Sequence, residues 1–161
     1  MAQAGARGLP SWETLKQFPK LLQGLEQFSD KEHNSENYKF LLAIEQCRRT
    51  SDSQSLNKLI NGVISTYIVS NAPSQVNISG AVQQPILRAI APNGTFDNGA
   101  LMQLLQPAYE QIVSVLESDV IRRYTGSSTY RQFYQETATQ VQQSQDQNYR
   151  ILFQSLPLPP G

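Results

Sequence analysis

Between Leu56 and Ile68 the apolar residues are Leu56, Leu59, Ile60, Val63, Ile64, Tyr67 and Ile68, an i, i+3, i+4, i+7 pattern without a gap. That spacing lines one face of an α-helix and fits no strand, because strand side chains alternate with a period of two. Gly62 lies inside the run and costs it about 1 kcal/mol against alanine, which so continuous a stripe can carry. Shorter stripes recur at Trp12, Leu15 and Phe18, at Leu22, Leu25 and Phe28, and at Phe40, Leu41, Ile44 and Cys47. Further on come Ile86, Leu87 and Ile90, then Leu101, Leu104, Leu105, Ala108, Ile112, Val115 and Leu116, then Tyr130, Phe133, Tyr134, Thr137 and Val141. No segment shows a period of two. The chain is therefore all-α, with about eight or nine short helices and no internal repeat.

Residues that start and stop helices punctuate these stripes. Ser11 is placed to cap the first helix, with Glu13 in its first turn, and Pro19 suits the first turn of the next. Asn34 is expected to cap the helix that carries Glu36 near its positive end. Ser53 opens the long stripe, and Asn71-Ala72-Pro73-Ser74 forms a turn after it. Ser79 is expected to cap a short helix containing Pro85, and Pro92-Asn93-Gly94 breaks the chain. Asp97 caps the following run, in which Pro107 predicts a kink or two helices meeting. Gly126 ends that run. Ser127 or Ser128 starts a last helix, whose Gln-rich continuation reaches Ile151 to Phe153. Residues 1–10 are expected to be loose or disordered, 11–154 to form one helical domain, and 155–161 to be a Pro-rich tail or linker.

Composition excludes several classes of function. At 161 residues the chain has the size of one domain, enough to bury roughly 70% of its unfolded surface. Thirteen basic residues balance thirteen acidic ones, and only Arg48-Arg49 and Arg122-Arg123 place basic residues side by side. Without a basic face the electrostatic term that drives nucleic-acid binding is missing. One cysteine, Cys47, and one histidine, His33, rule out multi-Cys or multi-His metal sites and leave no second His to activate a serine. Cys47 sits in an apolar stripe and reads as a buried, inert thiol, so a reducing compartment suits it. No phosphate-binding glycine loop occurs. Glu117 and Asp119 read as solvated helix surface. Neither a cofactor nor an active site of its own is expected.

No direct membrane insertion is expected. No apolar run approaches ~18 residues, and Met1-Ala2-Gln3 lacks the glycine that myristoylation requires. Asn77-Ile78-Ser79 and Asn93-Gly94-Thr95 match the glycosylation pattern but read as ordinary loops.

A few polar residues are out of place in a mere scaffold. His33-Asn34-Ser35-Glu36-Asn37 puts a polar cluster where a loop becomes a helix. Asn77 lies between Val76 and Ile78, an arrangement that turns an amide outward. Asp119 and Arg123 are spaced i, i+4, with Val115 on the same face. Read singly, Asn37 is helix surface, Asn77 a turn residue, and Asp119–Arg123 a surface pair worth about 0.3–0.5 kcal/mol.

Taken in order, these residues resemble a known family. Ser35-Glu36-Asn37, followed by Phe40-Leu41 and Glu45, is similar to the opening of the third long helix of RGS domains, the regulators of G-protein signalling. Those domains carry Glu-Asn, then Phe-Trp and a later Glu. Pro73 and Val76-Asn77-Ile78 resemble the loop between their middle helices, and Thr95-Phe96-Asp97 the start of their sixth helix. Val115 through Tyr124, with Tyr130 and Phe133-Tyr134 beyond, is similar to their closing signature. Leu41 replaces the family's tryptophan, His33 its aromatic residue and Val115 its leucine. The stretch from Phe96 to Asp119 is longer than usual, so the sixth helix is extended or an extra segment precedes it.

The resemblance implies a helical bundle that binds the GTP-loaded α subunit of a heterotrimeric G protein and speeds hydrolysis of its GTP. The partner-binding residues it implies are His33, Ser35, Glu36, Asn37, Val76, Asn77, Val115, Asp119 and Arg123, converging on one end of the bundle. Asn77 would steady the glutamine of the α subunit, Glu36 and Asn37 would flank it, and Arg123 would hold Asp119. The implied location is cytoplasmic, with recruitment to the inner face of the plasma membrane through the partner or other domains. One alternative keeps the fold as a binding scaffold without GTPase acceleration. Others are a helical adaptor with a peptide groove, and a polyproline ligand at Leu156 to Pro160.

Overall fold

The computed structural model describes residues 8–90 and 97–161. Helices make up its regular structure, and no strand occurs among the described residues. They are α1 (Trp12–Lys16), α2 (Pro19–Lys31), α3 (Glu36–Arg49), α4 (Ser53–Val63), α5 (Gly80–Ala89), α6 (Asn98–Val115), α7 (Ile121–Thr125), α8 (Ser128–Gln142) and α9 (Gln147–Gln154). Two single π turns, Ile64–Ile68 and Leu116–Val120, continue α4 and α6. Counting such runs once gives eight helical stretches among the described residues. The expectations for residues 1–7, the Pro92-Asn93-Gly94 breaker, Asn93-Gly94-Thr95 and Thr95-Phe96 lie outside the described residues.

Two compact units emerge, one of Met1–Ser35 with Val115–Gly161 and one of Glu36–Ser114. In the first, α2 lies along α8 and also meets α1 and α7. Trp12, Phe18, Leu21, Leu25, Tyr124 and Tyr130 are fully buried there. Burial of each such side chain contributes roughly 1.5–3 kcal/mol, the dominant favourable term. The Tyr124 hydroxyl donates to the Leu21 carbonyl at 2.7 Å, and burial raises the Tyr124 pKa far above its ordinary value. Gly24 lets this packing close, since a Cβ there would lie 2.7 Å from Phe133 Cδ2 and press on the Tyr124 hydroxyl.

In the second unit α3 packs on α4. The Tyr109 hydroxyl donates to Glu45 at 2.6 Å, Arg48 lies 4.2 Å over the Tyr109 ring, and Arg48 donates to Gln106 at 2.6 Å. These contacts fasten α3 to α6. Cys47 is buried, and burial raises its thiol pKa, as an inert side chain requires.

Several caps fall where the sequence puts them. Ser11, Asp97 and Ser127 accept from the N–H groups of Thr14, Ala100 and Tyr130. Others need correction. The helix expected to follow an Asn34 cap begins at Glu36, and the buried Asn34 amide oxygen accepts no hydrogen bond from a described residue. Ser79 precedes α5 but makes no cap; its N–H donates to Gln111 Oε1 at 3.0 Å, and its hydroxyl accepts from Gln111 at 3.1 Å. Pro107 does not divide its run: α6 is one helix through it, its buried Leu101, Leu105, Ala108 and Ile112 offsetting the missing hydrogen bond.

The last helix is two. Asp146 accepts from the N–H groups of Asn148 and Tyr149 and starts α9, while Arg150 donates back to the Gln142 and Ser144 carbonyls. Phe18 stacks on Tyr149 at 4.9 Å, and Tyr134 meets Phe153 at 4.8 Å. Within 155–161, Leu156 is fully buried, and the Tyr130 hydroxyl donates to the Pro157 carbonyl at 2.7 Å.

Candidate functional site

The residues singled out from the sequence divide between the two units. In the first unit the chain leaves α2 through Glu32 and His33. His33 has φ 59°, in the left-handed region that favours glycine, at a cost of about 1–2 kcal/mol. Its N–H donates to the Asp30 carbonyl at 3.1 Å, and the Asn34 N–H donates to the Ser29 carbonyl at 3.1 Å. These are the paired bonds of a Schellman motif, which satisfies two orphan carbonyls of α2 and offsets the strain. His33 is exposed and Ser35 half-buried.

The first unit also holds the π turn Leu116–Val120, closed by the Ile121 N–H on the Leu116 carbonyl. Leu116 and Val120 are buried, while Val115 is 39% exposed. Single π turns of this kind are frequent at functional sites. Asp119 points outward, its side chain 60% exposed. Arg123 grips it with two bonds, Nε to Oδ1 at 2.9 Å and Nη2 to Oδ2 at 3.1 Å. Those hydrogen bonds hold the Asp119 carboxyl below its ordinary pKa.

Arg123 is held from the other side as well. Its Nη1 donates to Glu32 Oε1, and its guanidinium lies 5.8 Å from the centre of the Phe28 ring. Hydrogen bonds donated to Asp119 first, and then to Glu32, raise the Arg123 pKa still higher. The sequence does not signal that Glu32 or Phe28 meets Arg123, since Phe28 lies in the distant helix α2 and Glu32 at its C-cap. Glu117 also departs from expectation. It is half-buried rather than solvated, and its carboxylate accepts from the Trp12 N–H at 2.7 Å.

In the second unit Glu36 and Asn37 open α3, both half-buried. Asn77 sits on the loop that follows the π turn Ile64–Ile68. Backbone bonds tie that loop back to the turn: Ser74 N–H to Thr66 O at 3.0 Å and Val76 N–H to Tyr67 O at 2.9 Å. Asn71, at φ 63°, turns the chain, and its N–H donates to the Gln75 side chain at 3.1 Å. The Gln83 amide donates to the Ile68 carbonyl at 2.7 Å, and Gln111 holds Ser79. Val76 is 3% exposed, so it anchors the loop and leaves the surface to Asn77, which is exposed. The glutamine anchors carried no periodic signal by which the sequence could reveal them.

The structure thus joins Asp119 to Arg123 and brings Glu32, next to His33, onto the same guanidinium. Asn77 is presented separately on its anchored loop. No cluster of His, Cys, Asp and Glu fit to hold a metal ion occurs among the described residues. None of their helices is long and apolar enough to cross a membrane.

A family model described as the regulator of G protein signaling domain matches residues 11–133. The chain is also 28% identical over 127 residues to the mouse (Mus musculus) protein named Regulator of G-protein signaling 10, covering 78% of this chain and 65% of the relative. The rat (Rattus norvegicus) and human (Homo sapiens) proteins of that name are each 27% identical over the same shares. The chain therefore spans just under two thirds of the length of these relatives.

Proposed function

The chain belongs to the family of regulator of G protein signaling domains, and from that premise we propose that it binds the GTP-loaded α subunit of a heterotrimeric G protein and accelerates hydrolysis of its GTP. The α subunit carries its own arginine, glutamine and Mg²⁺. A partner that fits the transition-state shape of its switch loops lowers the barrier without supplying an acid or base.

Asn77 is the residue proposed to steady the water-orienting glutamine, with Glu36 and Asn37 beside it. Asp119 accepts hydrogen bonds from backbone N–H groups of the first switch loop, Arg123 keeps its carboxylate oriented, and Val115 and His33 add packing contact. The observation that carries this reading is the loop of Asn77: one exposed amide next to a buried valine, tied at Tyr67 on one side and at Gln111 on the other. Holding a side chain by such anchors is the preorganisation that positioning catalysis needs. Family membership supports the partner, and the paired Asp119 and Arg123 support activity over a purely scaffolding role.

Single-turnover GTP hydrolysis by a panel of α subunits, with the chain and its Asn77→Ala variant, tests the proposal. The unchanged chain should accelerate hydrolysis. The variant should keep its melting temperature and lose most of the acceleration, about 10²-fold if Asn77 acts like one preorganised transition-state donor. Equal acceleration by both proteins would remove Asn77 from the mechanism, and no acceleration by either would favour the scaffold reading.

A further inference from the structure

We infer that Glu32 is a positioning residue, holding the Arg123 guanidinium so that Asp119 is presented to the partner at a fixed angle. The inference rests on the function proposed above and extends its residue set.

A guanidinium has five N–H groups in one rigid plane. The Nε and Nη2 edge of Arg123 is taken by Asp119 in two parallel bonds, and Nη1 is taken by Glu32. A surface arginine held on one edge alone swings with its partner, and such pairs hold little fixed geometry. Here the second edge is tied to the C-cap of a separate helix, α2, 91 residues away in sequence. The Arg123 guanidinium carbon also lies over the Phe28 ring, 5.8 Å from its centre, adding a third restraint.

Exposure separates the two carboxylates. The Glu32 side chain is 32% exposed and that of Asp119 is 60%. Glu32 is therefore the inner anchor, and Asp119 the carboxylate with lone pairs left to offer. The backbone supports this division. Glu32 is the last residue before the left-handed His33, whose Schellman bonds fix where α2 ends. Asp119 rides on a π turn whose neighbours Leu116 and Val120 are buried. Both acids thus approach one guanidinium from fixed backbone.

Two measurements on Glu32→Ala, with Glu32→Gln as a second variant should the first fold poorly, test this. In the isolated chain, the Arg123 Nε–H resonance should be resolved and slow to exchange, and should move to the solvent-averaged position in the variant. Affinity for an α subunit loaded with GDP and aluminium fluoride should fall about three- to fivefold, the scale of an exposed ion pair. In an Asp119→Ala background the same change should have no further effect, since Glu32 acts through Arg123 and Asp119. An unchanged Arg123 resonance would overturn the inference, as would an equal loss of affinity without Asp119, which would make Glu32 a direct contact. If the parent chain bound no α subunit, the function and the presentation role would fall together, and the resonance would still decide whether Glu32 holds Arg123.

Discussion

At Gly24 the fold permits no side chain. Alanine ordinarily improves a helix interior by about 1 kcal/mol over glycine, yet here its methyl group would meet the Phe133 ring at 2.7 Å and the Tyr124 hydroxyl, itself fixed on the Leu21 carbonyl. Neither neighbour is the free end of a flexible chain. Gly24→Ala should therefore destabilise the protein by at least ~2 kcal/mol, lowering the urea midpoint at unchanged slope. A gain in stability would mean that α2 and α8 can separate without loss. Nothing in the sequence marks Gly24, because a close approach between distant segments leaves no trace in either. The same holds for the Glu32 contact with Arg123, whereas the Asp119–Arg123 pair was legible because i, i+4 spacing is local.

Helices were most legible where one apolar face repeats and a polar residue opens the first turn, as at Ser11, Asp97 and Ser127. Periodicity was a poorer guide at the π turns, because one extra residue in a turn shifts the stripe without breaking it. It also missed the boundary after Gln142, where glutamines sustain a helical pattern and only Asp146 marks a new start. Helix α9 has no fully buried residue and rests on its cap and on rings at Phe18 and Tyr134. Asp146→Ala should remove about 1 kcal/mol from this helix alone. Amide exchange across 147–154 should quicken about fivefold, with α2 and α8 unaffected. Uniform acceleration across the chain would instead make α9 part of the cooperative core.

For the molecule as a whole, balanced charge leaves little long-range steering, so partner choice has to come from shape and a few polar contacts. The proposed function then predicts selectivity among conformations of one partner. Retention of an α subunit should be strongest with GDP and aluminium fluoride, weaker with a GTP analogue and weakest with GDP. Equal retention in all three would contradict transition-state complementarity. The family and helical class were readable because an ordered set of short motifs survives low identity, while the supports of those motifs are tertiary and had to be seen. One of them bears on mechanics. Glu117 faces inward and receives the first N–H of α1, two residues from the acid that faces out. Pulling the start of the chain away would load that bond first, so α1 acts as a stay against fraying of the turn that carries Asp119.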